Sequence, residues 1–89
     1  MVTYQWSTEK NRILKQKRGV TFEQAVMHIE NGDILDLIDH PNKTRYANQQ
    51  IIVININEYA HAVPFVQQNE IRFLKTIVPS RKLTKLYLR

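Results

Sequence analysis

The chain of 89 residues contains no cysteine, which excludes a disulfide framework, a thiolate zinc site and a cysteine nucleophile. Only two glycines and three prolines are present, too few for a low-complexity chain or for a glycine-rich phosphate loop. No apolar run approaches the roughly 18 residues that a membrane span needs. The opening Met1-Val2-Thr3-Tyr4-Gln5-Trp6 has no signal-peptide pattern, so the expectation is a cytoplasmic protein without a membrane partner. His28, His40 and His61 have no zinc-ligand spacing. Asp33, Asp36 and Asp39 would alternate between faces of a strand rather than converge on one ion. Neither a metal nor another cofactor is expected.

What is present is an ordinary globular balance, 43% hydrophobic and 24% charged, sufficient for one domain over residues 1–89 and excluding a two-domain enzyme. Charge is unevenly spread. Residues 1–18 carry five basic side chains against Glu9, residues 72–89 carry six and no acid, and the stretch between holds seven acids and two bases. Basic ends of this kind raise the local potential and point to a polyanion such as nucleic acid.

Along the chain, Ser7 and Gly19 bracket a helix over about 8–18 with a thin apolar stripe. Thr21 and Gln24 form a capping box opening a second helix, with Phe22, Val26 and Ile29 at helical spacing until Asn31-Gly32. The period then falls to two. Strands are predicted over Ile34–Asp39, Gln50–Ile56, Tyr59–Gln67 and Ile71–Val78, with Asn57-Glu58 as a turn. Pro79 halts the last strand, and Ser80 caps a short terminal helix with Leu83, Leu86 and Tyr87 on one face. The expected fold is α+β: two N-terminal helices, a four-stranded antiparallel sheet and a short C-terminal helix. Pro64 cannot donate to a ladder, so a bulge or an open edge is expected beside it.

Pairing Ile56 with Tyr59 places Ile52, Ile54, His61, Val63 and Phe65 on one face of the sheet and Ile51, Val53, Asn55, Ala60, Ala62, Pro64 and Val66 on the other. Both faces are largely apolar. If the two N-terminal helices cover one, the other, or the thinly striped first helix, meets a partner or a second copy in a homodimer, unless the C-terminal helix packs on that face.

Among chemistry-bearing residues, Lys75 shares its predicted strand face with Ile71, Phe73 and Ile77, where partial burial would lower its pKa and suit it to proton transfer or to fixing a phosphate. Arg72 and Arg81 stand near it in sequence, Arg81 beside Ser80 at a helix start. These three form the expected catalytic centre, with His61, polar on an apolar face, as an auxiliary proton-transfer group. Lys82, Lys85 and Arg45 are expected to bind nucleic acid.

Two segments carry a family resemblance. Tyr4-Gln5-Trp6-Ser7-Thr8-Glu9-Lys10-Asn11 and Arg18-Gly19-Val20-Thr21-Phe22-Glu23-Gln24-Ala25 resemble the "FEWD..K" and "KHGVSFEEA" opening of BrnT-family toxins. The stretch from Ile71 to Lys82 is similar to the "FLKTIIPSRK" ending of a subgroup of small proteins placed in or near that family. The resemblance implies a RelE-like fold and a metal-independent ribonuclease that arrests translation. It also implies a cognate ribbon-helix-helix antitoxin that binds operator DNA. Arg18 stands where the motif has His, Ser7 where it has Asp, and Ile77 where better-known members have a second Arg; if cleavage needs that Arg, Lys75 or Arg81 supplies its charge, or activity is weak or lost. A metal-free ribonuclease is chemically reasonable, since RNA carries its own 2′-hydroxyl nucleophile. The other reading is a non-catalytic basic interaction module that binds nucleic acid or an acidic protein partner.

Overall fold

The computed structural model describes all 89 residues. The elements are β1 (Thr3–Trp6), α1 (Thr8–Arg18), α2 (Phe22–Glu30), β2 (Ile34–Asp39), β3 (Gln49–Ile56), β4 (Tyr59–Gln68), β5 (Ile71–Leu74), β6 (Val78–Pro79) and α3 (Arg81–Leu88). One sheet runs in the order β1-β5-β4-β3-β2, with β6 also paired to β4. No helix is long and apolar enough to cross a membrane.

Local signals place the helices as their sequences suggest. The Ser7 hydroxyl accepts from Lys10 N–H, and Gly19 closes α1 at φ 70°, in the left-handed region where a side chain would be strained. Thr21 caps α2 by accepting from Gln24 N–H. Asn11 joins the two helices: its amide donates to Glu23, and its oxygen accepts from Phe22 N–H at 2.7 Å, satisfying a donor that the first turn of α2 leaves open. The β3–β4 hairpin turns at Asn57 and Glu58, both at positive φ as a two-residue turn of the right hand requires. Its register, Ile56 with Tyr59 through Gln49 with Val66, is the one expected from the alternation.

The expected four-stranded antiparallel sheet is corrected at three places. β1 was missed, and it lies parallel to β5, with Thr3 opposite Ile71 and Trp6 opposite Leu74. Its signal was a short alternation: Tyr4 and Trp6 pack into the core and Trp6 stacks on Phe22, whereas Thr3 and Gln5 face outward. Second, the strand expected over 71–78 breaks after Leu74. Phe65 pairs with Leu74, but Ala62 pairs with Val78, so one extra residue is inserted opposite Pro64. Even-numbered β4 residues point their backbone groups toward this side: Pro64 accepts from Lys75 N–H, and Ala60 accepts from Ser80 N–H. The donor that Pro64 lacks falls on that side, and the bulge sits there. Third, Pro79 does not end the strand but forms part of β6, opposite His61.

The first sheet face packs under α1 and α2. Leu14, Val20, Phe22, Ala25 and Ile29 meet Ile52, Ile54, Ile56, Val63, Phe65, Leu74 and Ile77 in one core cluster. The second face was expected to seek a partner, but α3 lies there. Leu83, Tyr87 and Leu88 pack with Leu35 and Ile38 over Ile51, Val53 and Ala60. That covers the Ile51, Val53 and Ala60 part of the face, and Ile71 and Phe73 remain exposed beyond it. Leu86, expected on the packed side of α3, is 66% exposed, and Thr84 is buried in its stead at 2%. The Thr84 hydroxyl accepts from Ala60 N–H at 2.8 Å and donates to Ser80 O at 2.7 Å, continuing with a side chain the ladder that β6 leaves off. Thr84→Val keeps the shape but orphans a buried donor, and should lower the unfolding free energy by about 1–3 kcal/mol in urea denaturation; an unchanged midpoint would show that this bond does not anchor α3.

Candidate functional site

An eight-residue helix is about 12 Å long, whereas strands are spaced about 4.8 Å apart. α3 therefore covers only the β2, β3 and early β4 part of the second face. Toward β5 and β1 that face stays open. Val66, Phe73 and Gln5 lie side by side across it, with Ile71 and Gln68 forming the adjacent row. Phe73 is 36% and Ile71 41% exposed.

This open half forms a groove of about 510 Å³ lined by Gln5, Val66, Gln68, Ile71, Phe73 and Lys75. Past Lys75 and Val66 it runs into a second hollow of about 330 Å³, walled by the 40–48 loop through Arg45, Tyr46 and Asn48. No carboxylate lines either part. Asp39 lines a neighbouring hollow beside Gln67 and Gln68, and is paired with Lys43 at 2.9 Å. The Lys43 ammonium holds that carboxyl below the usual carboxylate range.

Lys75 is the residue that joins the two parts. Its backbone N–H donates to Pro64 O at 2.8 Å, and its ammonium lies 5.3 Å from the centre of the Phe73 ring, a cation held over an aromatic face. It is exposed, not half-buried as expected from an unbroken strand. Ile71 and Phe73 share its face, but the bulge sends Ile77 into the core under the helices. Arg45 stands across the groove with its guanidinium 5.4 Å from the Tyr46 ring.

The expected trio of cations is not brought together. Arg72 pairs with Gln67 and lies on the opposite face from Lys75; its guanidinium sits 4.9 Å above the Phe65 ring and its Nε donates to Gln67. Arg81 follows β6, whose Pro79 is opposite His61. His61 and Gln67 are six positions apart on β4, about 20 Å at the strand rise. Lys82 and Lys85 are exposed on α3. None of the ion pairs in the molecule uses Lys75, Arg45, Arg72, Arg81, Lys82 or Lys85.

His61 is 8% exposed. Its Nδ1 lies 2.9 Å from Tyr59 O, so Nδ1 carries a hydrogen and donates there. The ring belongs to the helix-covered face, away from the groove. The residues that sequence reasoning missed are Phe73 and Gln5 as groove-lining groups. Their signal was the alternation of β1 and β5, legible only once β1 is seen to pair with β5. The three aspartates go to separate partners: Asp33 to His28 at 2.8 Å, Asp36 to the Tyr87 hydroxyl, Asp39 to Lys43.

Comparison with protein-family models, curated proteins and solved structures finds no match to this chain. The site therefore stands on its own geometry.

The Asp36–Tyr87 bond ties the C-terminal end of α3 to β2. The Tyr87 hydroxyl, helped by Leu37 N–H, holds the Asp36 carboxyl below its usual range, and the Asp36 carboxylate pushes the Tyr87 phenol up. A lowered carboxyl pKa adds stability that is present above about pH 4 and lost as pH falls through the folded value. A raised phenol pKa adds stability present below about pH 10 and lost as pH rises through the folded value. Tyr87→Phe should thus lower stability by a constant amount between about pH 5 and 9, and the gap should narrow at both extremes of a denaturation-versus-pH series. A gap that does not vary with pH would separate the stabilisation from this pair.

Proposed function

We propose that this chain is the toxin of a type II toxin–antitoxin pair, a weak, metal-independent ribonuclease that binds RNA across the open half of its sheet and slows translation. A ribbon-helix-helix antitoxin neutralises it and carries the pair to operator DNA. The observation that supports this reading best is the groove spanning Lys75 and Arg45 with no carboxylate in its lining. Unpaired cations in a concave surface attract a phosphate backbone, and field lines focus where the walls are apolar.

In the chemistry that fits, the 2′-oxygen of a ribose attacks the adjacent phosphorus. The bond from phosphorus to the 5′-oxygen breaks, leaving a cyclic phosphate and a 5′-hydroxyl. The 2′-hydroxyl proton passes to water, and the leaving 5′-oxygen takes one from the Lys75 ammonium or from water. Lys75 stabilises the charge gathering on the phosphoryl oxygens, and Arg45 orients the chain from across the groove. His61 is buried on the helix-covered face, away from the groove, and does not enter this step. With no histidine or carboxylate in the groove to accept the 2′-proton, the rate rests on positioning and electrostatics, so the nuclease is a slow one.

That same lack of a general base favours a second reading, a basic module that binds RNA or an acidic protein segment without cleaving. Inducible expression with and without the product of a neighbouring gene separates the two. The toxin reading expects growth arrest that the neighbour relieves, and cleavage of RNA by the purified protein in EDTA. Lys75→Met keeps the apolar stem, so stability should change by less than about 1.5 kcal/mol, while arrest and cleavage fall at least tenfold. Salt-dependent RNA binding without cleavage or arrest would establish the binding module, and cleavage by Lys75→Met at the parental rate would move the site elsewhere.

A further inference from the structure

On the open face, the residue beside Lys75 is an aromatic one that packing does not explain. Phe73 is 36% exposed, and the Lys75 ammonium lies 5.3 Å from the centre of its ring. Register places the Gln5 side chain next to it on β1 and Val66 on β4, and Gln68 and Asn69 line the same groove. An exposed ring on an open sheet, flanked by neutral amides and followed two positions on by a cation, has the elements of a platform for unpaired bases. The ring supplies a stacking surface, the amides offer donors and acceptors to a base edge, and the cation takes the adjoining phosphate. A duplex presents no free base face, so it cannot use the ring.

We propose that Phe73 seats one unpaired nucleobase of a single-stranded nucleic acid while Lys75 holds the phosphate next to it. This rests on the RNA reading above and adds the part of the ligand that the groove selects. The base displaces the Lys75 ammonium from the Phe73 ring, and the freed ammonium turns to the phosphate. Selection is therefore for single strands over duplexes, with Gln5 at the base edge.

The test is fluorescence anisotropy with a labelled twelve-nucleotide RNA carrying 2′-O-methyl riboses, which cannot be cleaved by 2′-attack. It is compared with the same strand in a duplex, with the DNA of that sequence, and with an abasic strand of equal charge. The parent protein should bind the single strand at least tenfold tighter than the duplex and the abasic strand. Phe73→Leu should lose about tenfold on the single strand with no change on the duplex and an unaltered slope of affinity against salt, because no phosphate contact is removed. Phe73→Trp should restore the affinity. Lys75→Met, by contrast, should lower the salt slope by about one. Equal affinity of the parent for the single strand and the abasic strand would overturn the base site whatever becomes of the variants. So would a well-folded Phe73→Leu that binds like the parent. If growth arrest persists alongside either result, only the base site falls; if the parent binds none of the strands, the RNA reading falls with it. DNA bound as tightly as RNA would support the stacking site and count against the ribonuclease.

Discussion

Proline at position 64 is the constraint from which the rest of this structure follows. β4 is a central strand, with β3 on one side and β5 and β6 on the other, and a central strand needs donors on both. The side on which Pro64 has none is the β5–β6 side, as the bonds of Pro64 and Ala60 oxygens to Lys75 and Ser80 show. Inserting one residue there frees the partner chain from needing that donor. It also resets the alternation: Leu74 and Ile77 both reach the core, and Lys75 is left on the opposite, open face. Without the bulge, a two-residue period would have kept Lys75 and Ile77 on one face, and one of them would have been misplaced.

The bulge also explains why α3 ends up where it does. β6 is only two residues long, and the chain leaves it at Ser80 to cross the second face. Ala60 N–H is then out of reach of any strand, and the Thr84 hydroxyl takes the place of a backbone acceptor. A helix anchored at its start by that bond and near its end by Tyr87 on Asp36 is confined to the β2–β4 part of the sheet. The groove is thus the remainder of a face that α3 is too short to cover, bounded by Lys75 on one flank and by the 40–48 loop beyond it.

Much of this was legible from local chemistry. Ser7, Thr21 and Ser80 all cap the helices they precede, Gly19 closes α1, and Asn57-Glu58 makes the hairpin whose register sorts the two faces. Even the irregularity beside Pro64 could be foreseen from its missing donor. What could not be read is non-local. β1 contains only four residues, so its alternation is short, and its parallel partner β5 is more than sixty positions away. The role of Thr84 depends on a backbone group 24 positions earlier. The candidate site suffered for the same reason. Arg72, Lys75 and Arg81 are near in sequence, yet strand alternation puts Arg72 on the other face and the bulge and β6 carry Arg81 away, while Arg45 and Gln5 come to the groove from distant segments.

The charge layout now has a physical sense that the bare count lacked. Of the six basic residues between Arg72 and Arg89, Arg72 is held over Phe65 on the helix-covered face, whereas Lys75 stands at the open groove. Lys82 and Lys85 are exposed on α3, which lies on the same face of the sheet as that groove. Three acids of the middle segment have partners of their own: Asp33 turns to His28, Asp36 to the Tyr87 hydroxyl and Asp39 to Lys43. A polyanion in the groove of the second face would meet Lys75 and Arg45 with no carboxylate in the lining to oppose it. Because unpaired surface cations act through a screened field of about 8–10 Å at physiological salt, those on α3 would serve encounter and orientation of such a ligand. With the RNA proposed above, contact with one phosphate would fall to Lys75, beside the apolar floor of Val66, Ile71 and Phe73.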